Sequence, residues 1–139
     1  MTKDYTKQSL QEELDGCPAI AFLGLRVDDM DIDGKRVSLR MPLRPELERA
    51  AGTEQFHGGP IASLIDTAGD YAVALAVGGG VPTINFRVDY LRPSIGAYLV
   101  ATATARRVGR TVAVVDIDVT DANGKLCALG RGTYSPAVG

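Results

Sequence analysis

One long apolar segment, HGGPIASLIDTAGDYAVALA at residues 57–76, constrains the fold of this chain more than any other feature. Three glycines at 78–80 follow it and are expected to end a helix. Its apolar residues recur at helical spacing and form one continuous stripe: Ile61, Leu64, Ile65, Ala68, Ala72, Leu75 and Ala76. The pattern predicts one long helix, rich in alanine and glycine, that a sheet can approach closely.

Much of the remaining chain alternates apolar and polar residues, which is typical of β-strands. Before the helix, KRVSLRM alternates and follows Asp33-Gly34, a two-residue hairpin signal. After the helix, TINFRVDYL alternates almost throughout, and AYLVATATARR, TVAVVDIDV and KLCALGRGTY follow it. Turn signals separate these last segments at 108–110 and at Asn123-Gly124. The sequence therefore predicts a hairpin, one long helix and four further strands.

The N-terminal part is less regular. Residues 6–14 predict a short helix, with Ser9 as its N-cap and Glu12 as the capping-box partner. The pattern from 21 to 32 is mixed, and the stretch PLRPELERAAGTEQF predicts a connection that contains one helical turn.

These elements determine the expected architecture. A single helix cannot cover both faces of a sheet of five to six strands. We therefore expect an α+β protein in which an antiparallel sheet curls around the central helix and leaves surface for a partner subunit. The length of 139 residues fits one domain over 1–139, with 1–20 as an N-terminal helical extension.

Composition excludes several classes of protein. The formal net charge is −2, which gives no reason to expect a nucleic-acid partner. The charged N-terminus has no apolar signal core, and Asp66 and Asp70 interrupt the longest apolar stretch, so no membrane partner is expected. Cys17 and Cys127 match no metal or redox spacing and are expected to be reduced. These features predict a cytoplasmic protein.

The start of the long helix carries groups suited to chemistry. The first N–H groups of a helix have no intrahelical partner, and Gly58 and Gly59 would let a ligand approach them. Such donors can hold a developing oxyanion, although the two glycines alone are equally consistent with tight packing or a turn. His57 is the only histidine, and shaping this loop is a better supported role for it than catalysis.

Asp66 lies inside the helix, where aspartate is disfavoured. It shares the polar side with Ser63 and Asp70, at spacings of three and four residues. A solvated face would explain a lone carboxylate, but a helix wrapped by a sheet has little surface to expose. A half-buried carboxylate near an oxyanion site can activate water or attack a carbonyl.

The sequence resembles the hotdog-fold acyl-CoA thioesterases of the phenylacetate-pathway (PaaI-type) family. That family has HGG, six residues and then an aspartate, often within DTA, and this chain has the same order from His57 to Ala68. The similarity extends to VDYLRP at 88–93, to the VGR turn and to GKLCALGRGTY. It covers nearly the whole chain from about Gly24 onward, and the ordered combination is more specific than any one motif.

The resemblance implies homodimers, often paired into tetramers, with active sites at the subunit interface. It implies that Asp66 acts as general base or nucleophile and that the Gly58 N–H polarises the thioester carbonyl. It also matches Thr83 to a hydroxyl that the partner subunit supplies to place water. The family often has an asparagine six residues before its histidine, and here Ala51 stands there, so that role is empty or passes to Gln55.

Substrate contacts follow from the same resemblance. Gly59 and Gln55 are expected at the substrate, and Arg107 and Arg110 are candidates for the phosphates of coenzyme A, with Arg110 favoured because it lies at a turn. No metal site and no cofactor are expected, since coenzyme A is part of the substrate. A non-catalytic acyl-CoA-binding module is the alternative, and a hydratase or dehydratase is a weaker one.

Overall fold

A computed structural model of the chain describes residues 4–137. A short 3-10 turn over Pro45–Leu47 is the helical turn expected before the long helix. The helices are α1 (Lys7–Asp15), α2 (Pro18–Leu23) and α3 (Gly58–Val77), and the strands are β1 (Arg26–Asp31), β2 (Arg36–Pro42), β3 (Thr83–Tyr90), β4 (Tyr98–Val108), β5 (Ala113–Asp121) and β6 (Leu126–Tyr134).

The six strands form one antiparallel sheet in the order β1-β2-β4-β5-β6-β3. Helix α3 packs against β2, β3, β4, β5 and β6, so the sheet wraps around it as predicted. The positions that alternate in sequence point toward the helix in β4 and β5, where Leu99, Ala101, Val115 and Ile117 are buried. Small residues in this layer let the helix lie close to the sheet.

The α3 stripe is buried as predicted, except that Ala76 is exposed. Gly78 ends the helix in the left-handed conformation, with φ of 86°. By length and composition α3 could span a membrane, but it is the core helix, and just over half of its most apolar window is buried inside the protein.

The N-terminal part corrects two predictions. Helix α1 is capped by Thr6, whose hydroxyl accepts from the Ser9 N–H while Ser9 accepts from the Thr6 N–H. Ser9 is therefore the third helical residue and not the N-cap. The β1–β2 connection also uses four residues, because Asp31 pairs with Arg36 across it.

Strand β3 is an open edge of the sheet. Of the strands in the described part of the chain, only β6 pairs with it, on one side, and its side chains are largely exposed. Apolar exposure is concentrated there: Ile84 is 55% exposed, Phe86 37% and Tyr90 53%. An apolar edge strand that is paired on one side alone presents the free backbone donors and acceptors of its other side to another chain.

Candidate active site

The start of α3 leaves one backbone donor free. His57 is the N-cap, and its Nδ1 accepts the Gly59 N–H at 2.9 Å. Pro60 has no N–H to offer. Among the described residues, the Gly58 N–H has no hydrogen-bond acceptor. The Gly59 N–H is therefore occupied by the helix cap, whereas the Gly58 N–H is open to a ligand. The loop-shaping role of His57 and the substrate contact of Gly59 stay predictions.

A cleft of about 320 Å³ opens beside Gly58. The Tyr90 hydroxyl at the end of β3 donates to the Gly58 carbonyl at 2.6 Å and fixes the helix start against the sheet. Gln55, a predicted substrate-binding residue, also lines this cleft. Arg49 and Arg92 also line it and supply positive charge. We call this the Gly58 cleft.

Asp66 lies at the other end of β3. Its Oδ1 accepts the Thr83 hydroxyl at 2.8 Å, and its backbone carbonyl accepts the Tyr134 hydroxyl at 3.0 Å. The Tyr134 hydroxyl is also 3.5 Å from Oδ1. Within residues 4–137 the Oδ2 atom accepts no hydrogen bond, so it is the oxygen left for a water or a substrate.

Thr83 therefore reaches the aspartate of its own chain. The connection after α3 returns antiparallel to the helix and brings Thr83 back beside Asp66. That this hydroxyl is supplied to the partner subunit's site stays a prediction.

Two glycines make room for Tyr134, which is fully buried. A Cβ added at Gly69 would lie 2.8 Å from its Cζ and closer still to its hydroxyl oxygen, and one added at Gly132 would lie 2.5 Å from its Cε2. Burial, and secondarily the charge of Asp66, raises the pKa of Tyr134. The phenol therefore stays protonated and donates to Asp66.

A second cleft, of about 430 Å³, contains Asp66. We call it the Asp66 cleft. Its polar wall is Ser63, Asp66 and Thr67 of α3. Its apolar wall comes from α2: Ala19, Ile20, Phe22 and Leu23. This wall was not predicted from the sequence, although Pro18 at the first helical position and Gly24, which has φ of 71°, are the start and stop signals of a short helix.

The two clefts are separate within one chain. Asp66 follows Gly58 by eight residues on the same helix, which is about 12 Å along the axis. The free Gly58 N–H also points out of the helix start, away from Asp66. One carbonyl group therefore cannot contact both groups of the same chain.

Arg107 and Arg110 line neither the Gly58 cleft nor the Asp66 cleft. Both lie at the end of β4 or in the turn after it, at the same end of the sheet as Thr83. A bulge between Ala105 and Arg107 interrupts the alternation of side chains in β4. Strand periodicity therefore does not predict on which face of the sheet these arginines lie.

The outer face of the sheet carries a separate charged patch. Asp116 accepts from Arg131 at 2.6 Å and 3.0 Å and lies 3.7 Å from Arg106. The hydrogen bonds from Arg131 lower the pKa of Asp116. No group of three metal-ligating side chains occurs among residues 4–137.

Comparisons with known proteins agree with this architecture. A profile described as Thioesterase superfamily matches residues 55–128, which is more than half of the chain. A relative from Halobacterium salinarum is 40% identical over 136 residues, covering 90% of this chain and 88% of that protein. Acyl-coenzyme A thioesterase 13 of Homo sapiens is 34% identical over 102 residues, covering 70% of this chain and 71% of its own.

The fold has solved counterparts. The PaaI protein of Escherichia coli, from the phenylacetic acid degradation operon, superposes with a TM-score of 0.81 at 28% identity, covering 95% of this chain and 93% of that one. Thioesterase HI1161 of Haemophilus influenzae superposes with a TM-score of 0.85 at 26% identity, covering 96% and 92%. The chain belongs to the thioesterase superfamily and is a thioester hydrolase with the hotdog fold.

Proposed function

We propose that this protein hydrolyses acyl-coenzyme A thioesters at a site shared by two copies of the chain. The observation that carries the proposal is the position of its two reactive groups at opposite ends of the open strand β3. Tyr90 at one end holds Gly58, and Thr83 at the other end holds Asp66. These ends are about 23 Å apart in an extended strand.

A two-fold dimer joined through β3 brings these ends together. Identical edge strands related by a two-fold axis pair antiparallel, so the Tyr90 end of one strand lies beside the Thr83 end of the other. The Gly58 cleft of one copy then faces the Asp66 cleft of its partner. The exposed side chains of Ile84, Phe86 and Tyr90 supply apolar surface for this pairing, which buries area that the single chain leaves in water.

The reaction divides between the two clefts. The thioester carbonyl accepts the Gly58 N–H, which stabilises the negative charge that develops on its oxygen. Asp66 takes a proton from water as the water oxygen bonds to the carbonyl carbon. The C–S bond then breaks and the thiolate of coenzyme A receives that proton. In the alternative step, Asp66 attacks the carbonyl carbon and the C–S bond breaks to release the thiolate of coenzyme A; water then hydrolyses the resulting anhydride and supplies the proton that the thiolate takes up.

The linings of the clefts match the two halves of such a substrate. Arg49, Arg92 and Gln55 in the Gly58 cleft suit the phosphates and amides of coenzyme A. The α2 wall of the Asp66 cleft suits an apolar acyl group. Arg107 and Arg110 remain candidates for phosphate contacts, since they lie at the sheet end where the partner's Gly58 cleft would be. This hydrolysis consumes only the thioester and water, so we propose no cofactor.

We also propose that the protein is a homodimer or a dimer of dimers and that it is cytoplasmic. Both cysteines of the chain, Cys17 and Cys127, are free, as is usual for a protein kept in a reducing compartment.

The test is thiol release from a panel of aryl- and fatty-acyl-CoAs, measured with a sulfhydryl-trapping dye. We expect the wild type to release thiol and Asp66→Asn to release none. Both proteins should fold and bind substrate alike. Bound substrate without thiol release by wild type would favour an acyl-CoA-binding module. Loss of enoyl-CoA absorbance without thiol release would indicate a hydratase. A single turnover in ¹⁸O-water tests for the anhydride: direct attack by water puts one labelled oxygen in the product acid, whereas an anhydride opened at the Asp66 carbon gives an unlabelled acid and a labelled Asp66.

A further inference from the structure

Asp70 makes a contact that the reaction above does not use. It lies one turn after Asp66 on α3, and its Oδ1 accepts the Val81 N–H at 2.9 Å. Val81 is buried and belongs to the connection between α3 and β3. A helix side chain thus holds the backbone of the segment that leads to Thr83.

The two contacts form a ladder between the helix and the returning chain. Asp66 accepts from the Thr83 hydroxyl at 2.8 Å, and Asp70 accepts from Val81. Four helical residues rise about 6 Å, and two extended residues span about 6.6 Å. Because these lengths match, both hydrogen bonds can form at once without distorting either element.

The connection needs such an anchor. Gly78, Gly79 and Gly80 precede Val81, and glycines have no side chains to pack and the widest backbone freedom. Beyond Val81, the Pro82 carbonyl accepts from Ser135, which attaches the segment to the end of β6 but not to α3. Asp70 supplies the attachment to the helix that carries Asp66.

The surroundings of Asp70 disfavour its charged form. Burial raises its pKa most, and the charges of Asp66 and Glu13 raise it further; within residues 4–137 no arginine or lysine is among the groups that shift it. Tyr5 and Tyr71 lie near the same carboxylates. A half-buried acid is costly to keep charged, and the hydrogen bond from the Val81 N–H offsets part of that cost.

We propose that Asp70 is a positioning residue that holds Thr83 against Asp66, so that Asp66 keeps Oδ2 turned to the reacting water. The effect on catalysis depends on the proposed function, whereas the anchoring of residues 81–83 does not. Asp70 acts through backbone geometry and does not touch the substrate.

The test compares two substitutions at Asp70. Asp70→Ala removes the acceptor, and Asp70→Asn keeps an oxygen acceptor but removes the charge. We expect kcat for thioester hydrolysis to fall about 10- to 100-fold in Asp70→Ala, with KM little changed, because the reactive carboxylate loses its orientation. Asp70→Asn should restore most of kcat. Asp33→Ala, at an exposed turn, is the matched control.

A double variant tests the route through Thr83. Thr83→Val should lower kcat by itself, and adding Asp70→Ala to it should lower kcat no further. Amide hydrogen exchange supplies a second readout: Val81 should lose protection in Asp70→Ala and keep it in Asp70→Asn. If Asp70→Ala does not fold, Val81→Pro removes the same hydrogen bond from the donor side and should lower kcat in the same way.

Three results would overturn the proposal: an unchanged kcat in Asp70→Ala, additive losses in the double variant, or an Asp70→Asn as impaired as Asp70→Ala. The proposed function fails differently, since then wild type itself releases no thiol. In that case exchange at Val81 decides whether Asp70 anchors the segment, and unchanged protection in Asp70→Ala would refute the anchor.

Discussion

Replacing Gly69 with alanine tests how tightly Tyr134 is seated under Asp66. The new Cβ would lie 2.8 Å from the Tyr134 Cζ, well inside the 3.4 Å at which ordinary contact begins. The ring is fully buried and also lies against Gly132, so it cannot swing into solvent. The clash must therefore be relieved by shifting the helix or by breaking the hydrogen bond to the Asp66 carbonyl.

The magnitude follows from three opposing effects. Overpacking costs about 1–3 kcal/mol. Loss of the Tyr134 hydrogen bond costs about 1 kcal/mol. Alanine gains about 1 kcal/mol over glycine inside a helix. We expect Gly69→Ala to lower the free energy of unfolding by about 2 kcal/mol, which lowers Tm by about 6–8 °C in a chain of this length.

Thermal unfolding followed by circular dichroism measures this loss, with a second background as the internal check. In Tyr134→Phe the nearest contact, the hydroxyl oxygen, is absent, so Gly69→Ala should cost about 1 kcal/mol or less there. Gly16→Ala is the control, because its Cβ would meet only the carbonyl oxygens of Glu12 and Glu13, at ordinary contact distances of 3.4 Å and 3.6 Å. Equal losses in both backgrounds, or a stabilised Gly69→Ala, would refute the account of how Tyr134 is seated.

Three further predictions concern the cap, the buried acid and the edge strand. His57→Ala should lower the free energy of unfolding by about 1 kcal/mol, and His57→Asn should lower it much less, because asparagine can also accept the Gly59 N–H. Equal losses for the two variants in denaturant unfolding would show that His57 is not a cap. Burial raises the pKa of Asp70 from 3.8 to about 6, so the protein loses stability as pH rises through that window. Asp70→Asn should therefore exceed wild type in Tm at pH 8 and match it towards pH 4, and a constant difference across pH would contradict this. Ile84→Lys on the β3 edge should give a monomer without thioesterase activity in light scattering and thiol-release assays, whereas Ile32→Lys, at the β1–β2 turn, should leave the dimer intact.

The fold was predictable because its periodicities are local. The α3 stripe and the alternation in the strands each depend on which residues share a face, and burial selects those residues directly. Register breaks were not predictable in the same way: the bulge at 105–107 and the four-residue turn at 32–35 depend on the neighbouring strand. The N-cap of α1 was not predictable either: Thr6 and Ser9 can make the same reciprocal hydrogen bonds, and the structure has Thr6 as the cap.

The candidate site was predictable at Gly58 and Asp66, whose residue types are unusual for their positions. Its division into two clefts was not, because it depends on which end of β3 meets which turn of α3. Arg49, the α2 wall and the Asp70–Val81 contact come from segments distant in sequence, and no local pattern connects them. Loop and tertiary geometry determine these contacts.

The most direct test of the central claim, that two chains share each active site, mixes two inactive variants. Gly58→Pro removes the N–H at a helix position that tolerates proline, after a residue already extended with ψ of 148°, and Asp66→Asn removes the carboxylate. After unfolding and refolding an equimolar mixture, half of the dimers are mixed and each carries one intact site. If two chains share each site, one quarter of all sites are intact, so we expect about a quarter of the wild-type rate of thiol release. No activity above that of the separate variants would contradict it.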